Sequence, residues 1–461
     1  MKTDYLVIGC GASAMAFVDT MLIETDATFV IVDTRDAPGG HWNDAYPFVR
    51  LHQPSRYYGV LSRPLGRDRI NEFGPNAGFF ELASGIEVLA YFHALMDEVF
   101  LPSGRVNWRP LSEWRDEDGV IVNLMTGKKE SPEVARAIVD GRRIGTEIPL
   151  TYGRRFEVAD DLACIPPNDL PRQAARYSNF AVIGGGKTAM DTVLWLLHHN
   201  VDPGSITWVR PRDSWLLNRR ISQPGIEFFN DMIGAVARQM EILAETPDLD
   251  SFAKEMEAEG FWLRIDKDNW PDMMHQAVTS EAEVNALSRV ENVIRMGHVQ
   301  RADPGRLILE KGEVSLPADT LVIDCAASAA ASNIDDRDPV FSPGRINLQM
   351  IRMTQPTFSA AVIAHLEATV KDEELKRRAT GVTPMIDTVA DWVDRRLTTS
   401  LNEVAWGEIE GMSDWLAACR LNASAHALSE LDPSDDAKMA VLARLSAATP
   451  RARENMRRLV S

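Results

Sequence analysis

Two glycine clusters in this chain, Gly9-x-Gly11-x-x-Ala14 and Gly184-x-Gly186-x-x-Ala189, have the spacing that lets a backbone wrap a pyrophosphate. That task needs a sharp turn from strand to helix, a close approach of backbone to phosphate and tight helix packing. Each demand falls where a Cβ is unwelcome or must be small. The free N–H groups of the helix that follows then hold the anion. Ser13 with Ala14 in the first turn, and Lys187 with Thr188 in the second, complete the candidate phosphate contacts.

The residue that sorts one nucleotide from another lies about 20 residues further on, at the end of the next strand. In the first copy it is Asp33, whose carboxylate can accept both ribose hydroxyls, with Arg35 close by. In the second it is Arg210, with Arg212 two residues beyond, and guanidinium groups suit a 2′-phosphate. The first site therefore reads as FAD-type and the second as NADPH-type. Two such sites on one chain imply two nucleotides facing each other, so that hydride can pass from nicotinamide to flavin.

The elements that must position these residues are legible on both sides of each cluster. Tyr5-Leu6-Val7-Ile8 and Phe180-Ala181-Val182-Ile183 are apolar runs of strand length leading into the glycines. Met15, Val18, Met21 and Leu22 then recur at helical spacing, as do Val193, Leu194, Leu196 and Leu197. Second apolar runs, Phe29 to Val32 and Ile206 to Val209, end on Asp33 and Arg210. The fold class this predicts is α/β, with two Rossmann-like dinucleotide-binding domains.

Composition agrees. A chain of 461 residues, 45% hydrophobic and 25% charged, is long enough for two or three globular domains. No apolar run approaches the ~18 residues of a membrane span, and no charged-then-apolar leader precedes Tyr5, so the expected location is the cytoplasm. A net charge of −18 argues against nucleic acid or an anionic membrane surface as partner. Cys10, Cys164, Cys325 and Cys419 form no C-x-x-C and no zinc spacing, which excludes a local dithiol relay and leaves no metal site to name. Cys10 and Cys325 are expected to pack as small buried groups.

After Asp33 the chain runs through Gly39-Gly40-His41-Trp42 into Arg50-Leu51-His52-Gln53-Pro54-Ser55-Arg56. With the paired fingerprints, this order of parts resembles the class B flavoprotein monooxygenases: the flavin-containing, N-hydroxylating and Baeyer–Villiger types. The resemblance runs to about residue 370 and is closest in the first half. It implies that Gly40 and Trp42 lie against FAD, and that Leu51 to Ser55 form the loop under the flavin ring. Gln53 stands where the family usually has asparagine. His52 and Gln53 are thus the candidate catalytic positions, with Arg50 a further cofactor contact. The resemblance also implies that reduced flavin meets dioxygen and inserts oxygen into a small organic substrate through a flavin (hydro)peroxide. The family's histidine-containing linker motif is absent from Thr151 to Pro171. An NADPH-dependent reductase or dehydrogenase with a different acceptor is therefore a second reading, and a nucleotide-binding protein acting through partners without turnover a third.

The FAD domain is expected to be discontinuous, 1–150 and 315–385, around an NADPH domain at 151–314. Ala318 to Ala327, a buried-strand pattern, is expected to return to the FAD domain as it does in the resembling family. A helical insertion at about 226–287, rich in Met and aromatics, reads as helical core or a dimer face, or else as a wall over the substrate. A helical C-terminal region follows at 386–461. His198 and His199 are adjacent on a helix and cannot face one metal.

Overall fold

The computed structural model describes residues 1–327 and 338–461. Two mainly parallel sheets organise it. In the first, the strands run in the order Phe341–Ser342, Arg345–Asn347, Glu133–Asp140, Lys2–Ile8, Phe29–Val32 and Val106–Arg109. All its neighbours pair in parallel except the terminal hairpin Phe341–Ser342/Arg345–Asn347. Lys2–Ile8 is central, so almost every residue of it is buried, which explains a continuous apolar run in place of alternation. The helices Ala12–Glu24 and Pro356–Thr369 pack against each other and share this core with Tyr5, Phe17, Phe92 and Trp406.

The second sheet is wholly parallel: Val293–Ile294, Ile206–Val209, Asn179–Ile183, Thr320–Asp324 and Cys164–Ile165. Lys187–His198 covers one face through Met190, Val193, Leu194 and Leu197. The strand Thr320–Asp324, expected in the first domain, is paired here with Asn179–Ile183, Leu321 opposite Phe180 and Ile323 opposite Val182. A fully buried apolar strand suits the middle of either parallel sheet, so its sequence pattern carries no address. Among the described residues the chain returns to the first sheet with the hairpin Phe341–Ser342/Arg345–Asn347, whose second strand pairs with Ile138 to Asp140.

The stretch 226–287 is helical at its two ends, with Glu281–Leu287 closing it, and is not helical between 259 and 280. After Asn230–Gly234, Ala235–Glu245 and Leu249–Ala258, the chain turns at Gly260, whose φ is +71°. It then forms the short strands Trp262–Leu263 and Val278–Thr279, which flank Leu216–Asn218. Left-handed backbone at Gly260 and Pro271 beyond it stop the helical pattern there. Phe229, Met232, Met240 and Trp262 are buried core residues. The C-terminal region is helical as expected, and its Val389–Gly407 and Asp436–Val460 pack with Ala235–Glu245 around Trp262, Trp392 and Met456.

Candidate functional site

The first turn is built by backbone contact. Gly9 has φ +90°, and Gly11 precedes a helix whose N-terminus no side chain caps. Gly40 has φ +57°, and a Cβ on it would lie 2.9 Å from the Cα of Gly11. The Gly-Gly element after the second strand therefore rests directly on the phosphate turn. Asp33 is buried, and its carboxylate accepts the Cys10 N–H at 2.7 Å and the Arg35 N–H at 2.9 Å. An ionised carboxylate has about four acceptor positions, so capacity remains for a ribose. Ser13 and Ala14 are buried in the first helical turn. The guanidinium of Arg35 is held by Asp44 at 2.6 and 2.9 Å. Buried Trp42 donates its indole N–H to the Tyr58 hydroxyl at 2.9 Å. Arg50 is exposed and donates to the Leu82 carbonyl at 3.0 Å.

The second turn repeats the geometry. Gly184 has φ +130°, and a Cβ there would stand 2.7 Å from the Cys325 carbonyl oxygen. Gly186 faces open space before an uncapped helix N-terminus. Arg210 lies across Gly185, is 2% exposed, and stacks on Trp208 with its guanidinium 4.6 Å from the ring centre. Its Nε is 2.5 Å from Asp213 Oδ1, while its buried Nη1 has no hydrogen-bond partner. Arg212 is committed elsewhere, with its guanidinium against Asp387 at 3.1 and 3.2 Å.

The loop after Trp42 is tied to the second sheet's domain and to the C-terminal region by one of its own side chains and by side chains that reach its carbonyls. The Tyr46 hydroxyl donates to Asp191 Oδ2 at 2.7 Å, and Asp191 also pairs with Lys187 in the first turn of the second-turn helix. Asn168 Nδ2 donates to the Asp44 carbonyl at 3.0 Å. Arg219, 1% exposed, donates to the His52 carbonyl at 3.3 Å and pairs with Glu283 at 2.8 Å. Arg420, from the C-terminal region, donates to the carbonyls of Arg56, Tyr58 and Val60 and clamps the far end of the same loop. Burial, then Lys187 and Arg219, push the His52 imidazole well below its ordinary pKa, so it is neutral near pH 7. His41 falls to about 4, mainly through burial. Burial and then Asp191 hold the Tyr46 hydroxyl well above its usual value, which keeps it a donor. Gln53 makes no hydrogen bond among the described residues, so its amide is free to meet a ligand.

The linker without the histidine is tied in by other groups. Tyr152 donates to buried Asp324 at 2.6 Å and Arg154 donates to it at 3.2 Å, at the end of the strand beside Gly184. Cys10 and Cys325 are buried free thiols, as expected, and burial raises both. No group of three or more His, Cys, Asp or Glu among the described residues could hold a metal, and no helix among them is long and apolar enough to cross a membrane.

The turns, the strand ends at Asp33 and Arg210 and the loop are marked in the sequence; Tyr46, Asp191, Asp213, Arg219 and Arg420, which tie these parts together, are not. Lys187 and Asp191 at i and i+4 were a usable signal of a pair; nothing local marked Arg420.

Two sheets in this order, each entered by a glycine turn, give a fold similar to that of solved flavoprotein monooxygenases. The caprolactone-bound structure of cyclohexanone monooxygenase is similar with a TM-score of 0.51 at 12% identity, over 90% of this chain and 98% of that one. An oxidised steroid monooxygenase bound to NADP gives a TM-score of 0.49 at 12% identity, over 97% and 98%. No family model matches the chain. The chain belongs to the same family as Mycobacterium tuberculosis uncharacterized protein Rv2000 (strain ATCC 25618 / H37Rv), with 39% identity over 431 residues, 94% of this chain and 79% of that protein.

Proposed function

We propose that this protein is an FAD-containing, NADPH-dependent oxidoreductase that acts as a monooxygenase on a small organic molecule with dioxygen. The observation that carries the reading is the bridge between the turns. Tyr46, four residues after Trp42, is hydrogen-bonded to the helix that opens at Gly186, so the loop of His52 and Gln53 is held between two backbone cradles.

The residues fit both groups. Gly9, Gly11, Ser13 and Ala14 would hold the FAD pyrophosphate, Asp33 its ribose, and Gly40 with Trp42 the flavin side of the turn. Gly184, Gly186, Lys187 and Thr188 would hold the second pyrophosphate, with the unpartnered Nη1 of Arg210 left for the 2′-phosphate. When bound, the pair supplies hydride transfer and oxygen activation, and the protein supplies orientation and dry walls. With FAD held there, neutral His52 would add no charge to the site, and the Gln53 amide would be able to donate or accept a hydrogen bond. Arg35, Arg50 and Arg212 bond Asp44, the Leu82 carbonyl and Asp387, and would have to exchange these partners to meet a cofactor.

The test is substrate-coupled turnover by the purified full-length protein. Oxygen uptake matched to NADPH oxidation, with oxygenated product in place of hydrogen peroxide, supports the proposal. NADPH oxidation that runs without oxygen on a dye acceptor, with no oxygenated product in air from a panel of sulfides, amines and ketones, would select the reductase.

A further inference from the structure

Charges of both signs meet in a small cavity beside the second turn, lined by Gly185, Met190, Arg210, Asp213, Arg264 and Asp266. Asp213, 6% exposed, lies between two guanidiniums: Arg210 at 2.5 Å and Arg295 at 2.8 Å. It also accepts the Asn269 amide at 2.6 Å, and Arg295 is shared with Asp266 at 2.6 Å. The cavity measures about 10 Å³, the room of a single water.

We propose that Asp213 limits the selectivity of this site for a 2′-phosphorylated nucleotide, by neutralising Arg210 from a buried position where its own charge opposes the phosphate. The inference rests on the reading of the second turn as a pyridine-nucleotide site. A dianion reaching for the Nη1 of Arg210 finds the guanidinium already ion-paired at its Nε and a carboxylate beside it, in a setting poorly screened by water. A ribose bearing two hydroxyls meets the opposite situation. The Asp213 carboxylate, ion-paired with the Arg210 Nε at 2.5 Å, can only accept hydrogen bonds, so it suits a ribose hydroxyl and opposes a phosphate. The two chemistries balance: the cation favours the phosphate and the carboxylate favours the bare ribose.

The experiment measures dissociation constants for NADP⁺ and NAD⁺ by calorimetry on the FAD-loaded full-length protein, which needs no turnover. Wild type should discriminate by no more than about tenfold. Asp213→Asn, nearly isosteric, should raise the preference for NADP⁺ on the order of tenfold, the equivalent of one charge-assisted contact regained. Asp213→Glu, which keeps the charge, should stay near wild type. Asp266→Asn removes a less buried charge from the same cavity and should shift the preference the same way by less; it decides the matter if Asp213→Asn does not fold. An unchanged or lowered preference in the Asn variants, or an equal rise in Asp213→Glu, overturns the inference while leaving the nucleotide site intact. Wild type that binds neither nucleotide overturns the site reading together with the inference.

Discussion

Gly40 offers a perturbation whose magnitude can be worked from the backbone. It sits at φ +57°, and a Cβ added there would stand 2.9 Å from the Cα of Gly11, a backbone atom that no rotamer change can move. Two penalties therefore separate. Left-handed backbone costs an L-residue about 1–2 kcal/mol, and the contact adds a displacement of the Gly-Gly element away from the phosphate turn. Gly74 isolates the first penalty, since it has φ +78° and nothing within 4 Å of its would-be Cβ. We expect Gly74→Ala to lower the unfolding midpoint slightly and leave FAD affinity unchanged. Gly40→Ala should destabilise by more and weaken FAD binding at least about tenfold, since about 1.4 kcal/mol of displacement suffices for that. The assay is FAD retention through gel filtration, followed by titration of the apoprotein with FAD by flavin fluorescence. If Gly40→Ala holds FAD as tightly as Gly74→Ala does, the contact between the Gly-Gly element and the phosphate turn has no part in the cofactor site.

Arg210→Ala should raise the Michaelis constant for NADPH much more than that for NADH, because a lost charge-assisted contact costs about 1.5–3 kcal/mol and Asp213 is left to oppose the phosphate; equal effects would remove Arg210 from the site. Tyr46→Phe removes the donor to Asp191 across the two sheets, so steady-state NADPH oxidation should slow and the unfolding midpoint should drop by the equivalent of about 1.5–3 kcal/mol, whereas a variant with unaltered rate and midpoint would deny the bridge a role. Folding depresses the pKa of both His52 and His41, so the unfolded chain binds more protons and stability rises with pH. That contribution is present above the unfolded histidine value of about 6.5 and is lost as pH falls below it. Thermal midpoints should therefore decline from pH 7 to pH 5, and less steeply in His52→Gln; a flat profile in wild type would contradict the assignment.

What the chain disclosed on its own follows from the range of each interaction. A phosphate turn is written in six residues, and its strand and helix flank it directly, so Gly9 to Ala14 and Gly184 to Ala189 were readable with their elements. Asp33 and Arg210 were readable because one strand-helix-strand unit sets their distance from the glycines. The partner of Arg212 was not readable, because Asp387 lies 175 positions away in a region without motifs. Tyr46 and Asp191 are 145 apart, and Asp213 and Arg295 are 82 apart. Such pairs exist only once the sheets are assembled. The strand Thr320–Asp324 shows the same limit: its apolar pattern says that it is buried, while its neighbours in the sheet are chosen by topology. Beyond Leu249–Ala258 the helical pattern failed at Gly260, where a single left-handed residue outweighs the Met and aromatic residues around it.

The central claim is that two different nucleotides meet in one chain, and anaerobic absorbance spectroscopy of the purified protein tests it most directly. The protein should be yellow, or turn yellow on adding FAD and keep the colour through gel filtration. NADPH, added without oxygen, should bleach the flavin band, and air should restore it. A colourless protein that takes up no FAD, or a bound flavin that NADPH and NADH both leave oxidised, would contradict the claim.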